Sequence, residues 1–287
     1  MDHDHDHDDE HDLGLQHDLG VLAERGLGRR GLLSILGGVG VVAVAGCAAE
    51  DVENVTRTTP ASPTTSTTSS STSTDTAVTD EIPEETGGPY PGDGSNGANV
   101  LTESGVVRSD ITHSFGTASG VAEGVPLTIR LKVYDLNGTD VTPYAGAAVY
   151  VWHCDRDGNY SMYSSGVEGE NYLRGVQEAA ADGTVEFTSI FPAAYSGRWP
   201  HVHFEVYPSL DDATSASNKL RTTQLALPQD VCETVYGSAE GYEASVANLA
   251  QTSLSTDMVF SDGYSLQLAN VTGSVDTGYV ATLNVPV

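Results

Sequence analysis

The chain has 287 residues, with 40 Asp and Glu against 12 Lys and Arg, a formal charge of −28. A surface this acidic repels nucleic acid and anionic lipid headgroups, which excludes both as partners and says nothing about fold. Val, Thr, Tyr and Gly are plentiful while helical periodicity is scarce, so the composition predicts an all-β protein.

Residues 1–20 hold His3, His5, His7, His11 and His17 among seven aspartates. This low-complexity tract cannot build a core and is expected to be a solvated, disordered tail with weak metal affinity at most. Arg29 and Arg30 then precede a Gly-rich apolar run from Gly31 to Ala45, which ends in Val44-Ala45-Gly46-Cys47. The run is too short and glycine-rich for a comfortable membrane span. A basic start, an apolar middle and small residues before the junction describe an export signal. The paired arginines resemble a twin-arginine signal and the Cys47 junction a bacterial lipobox, so residues 1–47 are expected to direct export and lipid anchoring on Cys47, with secretion as the alternative.

Residues 48–86 are rich in Ser, Thr and Pro and predict a flexible tether. Folded structure is expected over 87–287 as a single β-sandwich with mixed sheets and long active-site loops. Leu127, Ile129, Leu131 and Val133 alternate with polar residues and predict a half-buried strand. Ala147–His153 reads as a central strand, Thr184–Ile190 as another, then a strand through His201–Tyr207, then Leu220–Leu227, with further short strands over 255–287. If Cys47 is lipidated, an oxidising destination leaves Cys154 and Cys232 to pair. That bond would close a loop of about 80 residues and contribute roughly 4 kcal/mol in the chain-entropy account. Against it, a twin-arginine substrate folds before export, in a reducing compartment.

The stretch Arg198-Trp199-Pro200-His201-Val202-His203-Phe204-Glu205-Val206-Tyr207 is the most informative. On a strand, Val202, Phe204 and Val206 share one face, and His201, His203, Glu205 and Tyr207 the other. Imidazoles at i and i+2 can present two nitrogens to one metal ion. Two half-exposed histidines on a polar face explain the pattern equally well. Two phenolates added to two imidazoles would suit a ferric ion, whereas thiolates would suit zinc or cuprous copper. Residue chemistry alone does not separate Tyr160 and Tyr195 from the other eleven tyrosines, whose default is a packed ring with a bonded hydroxyl.

Four separated motifs narrow this. Val149-Tyr150-Val151-Trp152-His153-Cys154-Asp155, Gly158-Asn159-Tyr160-Ser161, Pro192-Ala193-Ala194-Tyr195 and Arg198-Trp199-Pro200-His201-Val202-His203-Phe204 together resemble the intradiol ring-cleavage dioxygenases. These include catechol 1,2-dioxygenase and the protocatechuate 3,4-dioxygenase subunits. Order and spacing agree over roughly 87–230, leaving 231–287 as a carboxy-terminal extension. The resemblance implies one non-haem Fe(III) per chain held by Tyr160, Tyr195, His201 and His203, with O2 as co-substrate. It also implies cleavage of a small catechol between its hydroxyl-bearing carbons to a cis,cis-muconic acid derivative. In that scheme Tyr195 takes a substrate proton, Arg198 stabilises developing negative charge, and Gln224 orients the substrate by hydrogen bonds. His153 lies inside the motif but is no ligand in the family and is expected to be structural.

The chain departs from the cytoplasmic members of the family in its export signal. It also lacks their amino-terminal helical dimerisation region, which leaves its oligomeric state open. One competing reading is a non-catalytic extracellular sandwich that binds metal or catechol-type siderophores. Another is a copper or zinc sandwich enzyme of the superoxide dismutase type. That class needs more histidines than the four, His113, His153, His201 and His203, that follow the amino-terminal tract.

Overall fold

A computed structural model describes residues 80–138 and 140–287. The His/Asp tract, the Arg29–Arg30 signal, Cys47 and residues 48–79 of the expected tether lie outside the described residues.

Among the described residues, nine strands form two sheets: β1 Pro126–Asn137, β2 Asp140–Pro143, β3 Ala148–Trp152, β4 Arg174–Glu178, β5 Thr184–Ile190, β6 His201–Tyr207, β7 Arg221–Ala226, β8 Asn270–Ser274 and β9 Gly278–Pro286. Two helices, α1 Gln229–Ser238 and α2 Glu243–Leu249, lie between β7 and β8. The first sheet runs β2-β1-β9-β8, with β5 sharing the β2 edge of β1, and β1 pairs parallel with β9. The second is the antiparallel sheet β4-β3-β6-β7. The expected all-β architecture with mixed pairing is what the chain adopts.

The main core lies between the sheets. Leu127, Ile129, Leu131 and Val133 of β1 meet Val149 and Val151 of β3 and Val202, Phe204 and Val206 of β6. That is one alternate set of each strand, as the period-2 pattern requires. The opposite face of the second sheet is covered too. Ala148, Tyr150, Trp152, Val176 and Tyr207 pack there with Val100, Leu101 and Tyr160 in a second cluster. A sheet sealed on both faces explains why all seven residues of β6 are buried, polar ones included. His201 and His203 are each only 2% exposed, which rules out half-exposed surface histidines.

Two expectations need correction. Residues 80–86 are not tether. Ile82 is fully buried and its N–H donates to the Pro286 carbonyl, and the Glu85 N–H donates to Thr222 O at 2.7 Å. A Ser/Thr/Pro-rich composition hid one apolar anchor and one β7 contact. Nor do Cys154 and Cys232 pair. Both are free and buried, in different clusters: Cys154 beside Tyr160, with its thiol 3.7 Å from Ala193 O, and Cys232 in the main core. α1, absent from the sequence reading, explains Cys232: it buries Cys232, Val235 and Tyr236 at i, i+3 and i+4. Pro228 stands at its N-cap and Asp230 in its first turn, where negative charge suits the helix dipole.

Candidate metal centre and active site

β6 places the two imidazoles. Its register with β3 sets Trp152 opposite His203, and the rings stack at 4.9 Å and 5°. Its register with β7 sets Gln224 opposite His203 on the other side. The segment before Tyr90 caps this face: a Cβ on Gly88, whose φ is +68°, would stand 3.4 Å from His203 Cε1. The left-handed φ, more than the space, is what favours glycine at this position.

Tyr160 comes from the loop after β3. Asp155 Oδ1 accepts from the N–H groups of Asp157 and Asn159, and Gly158, at φ +91°, completes the turn that delivers Tyr160. The Tyr160 ring is 2% exposed, with the Tyr90 ring 4.9 Å away. Tyr195 comes from the loop after β5, which α2 steadies. Ala194 N–H donates to Ser245 Oγ at 3.0 Å, and Asn248 Nδ2 donates to Ala194 O at 2.9 Å. Unlike Tyr160, Tyr195 is partly exposed.

The four side chains converge on His201 Nε2. His203 Nε2 lies 3.0 Å from it, and the phenol oxygens of Tyr160 and Tyr195 each lie 3.5 Å from it. Atoms bound about 2.1 Å from a metal at right to tetrahedral angles stand about 3.0–3.4 Å apart, so the spacing is that of a coordination shell. His201 Nδ1 faces the Trp199 carbonyl, which can only accept. That nitrogen therefore carries the proton and Nε2 directs its lone pair into the site. His203 Nδ1 is buried with no partner, so only a group within the site can fix its tautomer. Burial above all, with nearby Arg198, pulls both imidazoles well below their ordinary range and keeps them neutral. Burial, then Tyr195 and Cys154, push the Tyr160 phenol well above its usual value, so a phenolate there needs a cation beside it. No cluster of three or more His, Cys, Asp or Glu occurs among the described residues, so a metal held here needs the phenols.

Arg198 is 3% exposed and closely held. Nε donates to Asp257 Oδ2 at 2.9 Å, and Nη2 donates to Gln224 Oε1 at 2.6 Å and more weakly to Asp257 Oδ1 at 3.5 Å. None of these bonds uses Nη1. Burial opposes the guanidinium charge, but Tyr195 and Asp257 outweigh it and raise its pKa. Gln224, expected to orient substrate, uses its carbonyl on Arg198 and its amide on Thr86 O at 2.9 Å. It brackets the arginine between β7 and the segment before β1. His153 is structural as expected: Nδ1 donates to Cys154 O at 2.7 Å and Nε2 lies 2.7 Å from Ser189 Oγ, away from the four ligand candidates.

Sequence reasoning missed Asp257. It is one of 40 acidic residues, lies 59 residues from its partner and belongs to no motif. Only the fold brings it to Arg198. Tyr90 against Tyr160 and the Trp199 carbonyl on His201 were likewise out of reach.

A two-sheet sandwich that points two phenols and two imidazoles at one spot, beside a buried arginine, defines a candidate mononuclear metalloprotein. Residues 105–233 match the family model described as Dioxygenase. Over 64 residues the chain is 46% identical to chlorocatechol 1,2-dioxygenase of Rhodococcus opacus, spanning 22% of this chain and 24% of that protein. Over 124 residues it is 32% identical to catechol 1,2-dioxygenase 1 of Acinetobacter lwoffii, spanning 37% of each. The fold is shared with an intradiol ring-cleavage dioxygenase from Tetranychus urticae: TM-score 0.52, 22% identity, 64% of this chain and 87% of that one. Over residues 105–233 the chain is similar to the intradiol ring-cleavage dioxygenases. It spans well under half the length of the curated relatives it matches.

Proposed function

We propose that the protein cleaves a catechol-type aromatic with O2 to a cis,cis-muconic acid derivative, using one non-haem Fe(III) held by Tyr160, Tyr195, His201 and His203. The observation that carries this is the convergence of four donors, three of them 3.0–3.5 Å from the fourth, His201 Nε2. Hard phenolate oxygens with imidazoles favour ferric iron over soft-ligand metals. The iron, once bound, would lower the pKa of the substrate hydroxyls and of the phenols around it.

The side chains supply the rest. Neutral His201 and His203 give their lone pairs, with His201 fixed in orientation by Trp199. Tyr160 is sealed and serves as a permanent ligand. Tyr195, on the wetter side, is the phenol able to take a substrate proton at its oxygen and pass it to solvent. Arg198 Nη1 stabilises negative charge that develops on the substrate, a contribution of roughly 3 kcal/mol for a preorganised donor in a dry site. Trp152, Tyr90 and the Gly88 backbone exclude water from beneath the imidazoles.

An oxygen-electrode screen of catechol, protocatechuate, hydroxyquinol and chlorinated catechols, with the product identified, tests this. Muconate-type acids are the expected products. A yellow semialdehyde, or no oxygen uptake with any of them, contradicts it.

We further infer export and anchoring through a lipid on Cys47, on the strength of Arg29-Arg30 and Val44-Ala45-Gly46-Cys47. Cys47→Ala should release the protein to the medium. Unchanged membrane association would count against the anchor.

A further inference from the structure

The carboxy-terminal extension reaches the buried arginine of the active site through Asp257. Asp257 sits in the turn between α2 and β8 with its carboxylate fully buried. Five donors converge on it. Oδ2 accepts from Arg198 Nε at 2.9 Å and from Trp199 N–H at 2.7 Å. Oδ1 accepts from Val259 N–H at 2.8 Å, Phe260 N–H at 3.3 Å and Arg198 Nη2 at 3.5 Å. Val259 and Phe260 pack with Trp199 and Ala226 in a cluster of their own, and Trp199 Nε1 donates to Leu227 O at 2.8 Å. Trp199 is therefore gripped at its ring and at its N–H. Its carbonyl is the group that fixes His201 Nδ1.

We propose that Asp257 is a positioning residue of the active site, holding the Arg198 guanidinium directly and the His201 imidazole through Trp199. This rests on the functional reading above. It makes 253–262 an active-site element instead of an appended tail. A buried carboxylate serving only stability would need any cation. Here it bonds Nε and Nη2 and leaves Nη1 for the substrate, so the cation's orientation is fixed as well as its charge neutralised. A group that orients a ligand histidine from behind sets which nitrogen carries the proton. Burial opposes the Asp257 charge, but Arg198 and the Trp199 N–H hold the carboxyl below its ordinary range, so it is ionised where the enzyme works.

The test compares the parent, Asp257→Asn, Asp257→Glu, Arg198→Lys and the Arg198→Lys/Asp257→Asn double variant, all as full chains. Asn keeps the shape and one acceptor, so the fold survives while Trp199 or Arg198 loses its partner. The expected result for Asp257→Asn is a kcat lower by about 10- to 100-fold with KM within about 3-fold, and iron still bound with a displaced phenolate-to-iron absorption band. Asp257→Glu should recover part of kcat. The double variant should be slower than Arg198→Lys alone by less than Asp257→Asn slows the parent, because the route through the arginine is already lost and only the one through Trp199 remains.

Nitrogen-15 spectra of the histidine rings in the metal-free chain give an activity-independent readout: His201 should be one Nδ1–H tautomer in the parent and a mixture in Asp257→Asn. A parental kcat and an unchanged His201 tautomer in Asp257→Asn would overturn the proposal, even if its melting point falls. If the parent itself neither binds iron nor consumes oxygen, the functional reading fails on its own account. The His201 tautomer in the two proteins then decides whether Asp257 positions it.

Discussion

Nε2 of His201 lies 3.0 Å from Nε2 of His203, two residues along one face of β6. Two neutral imidazoles with their nitrogens aimed at one point keep that arrangement best when a cation lies between them and the phenols. Metal binding then adds to folding stability. At free metal about 1,000-fold above Kd the gain is about 4 kcal/mol. Reductive chelation should therefore bleach the protein and lower Tm by about 10 °C, read by absorbance and calorimetry. An unchanged Tm after complete metal removal would contradict the assignment.

Tyr160 and Tyr195 should differ. Tyr160 is buried behind Tyr90, whereas Tyr195 is partly exposed on a loop. Tyr160→Phe should lose iron outright. Tyr195→Phe should keep substantial iron and turn over about 100-fold more slowly, since a positioned proton acceptor is gone. Metal content and kcat measured on both variants check this; the reverse pattern would exchange their roles.

The cysteines should behave as two inert thiols. Burial pushes both Cys154 and Cys232 well above the usual thiol range. In the folded protein neither should react with iodoacetamide. After denaturation without reductant, peptide mass spectrometry should find both alkylated, and a disulfide-linked peptide pair would contradict the fold.

His153 should make the domain acid-sensitive. Burial, as the largest cause, holds its folded pKa at about 4, below the ordinary 6.5. A depressed histidine pKa gives stability that is present above the unfolded value and lost as pH falls towards the folded one. Between pH 6.5 and 4 the unfolded chain binds the extra proton, so stability drops by about 1.4 kcal/mol per pH unit from this group. Glu205, raised to about 7 chiefly by burial, acts oppositely: its stabilisation is full below 4.5 and lost as pH rises to 7. Comparison with His153→Gln isolates the histidine. Urea unfolding should show the parent gaining stability relative to the variant as pH rises from 4 to 6.5, and no further change above 7. Parallel curves across that range would contradict the assignment.

Much of the fold was legible because strands with alternating or continuous apolar residues announce themselves, as β1, β3, β5 and β6 do. α1 was not: its buried face is only Cys232, Val235 and Tyr236, too few to stand out from a polar stretch. The candidate ligands were legible because Tyr160, Tyr195, His201 and His203 sit in short motifs of fixed order. Asp257 and the Ile82 anchor were not, because their partners lie far away in sequence, and the Trp199 carbonyl was not, because the local turn that aims it at His201 leaves no mark on the residue pattern.

The central claim is that Tyr160, Tyr195, His201 and His203 hold one ferric ion. Anomalous diffraction from crystals of the purified protein, collected on either side of the iron absorption edge, tests it most directly. The account requires a single strong iron peak within about 2.3 Å of the two phenol oxygens and the two Nε2 atoms. A peak that persists below the iron edge and rises at the zinc edge, or an iron peak with either phenol oxygen more than about 4 Å away, would contradict it.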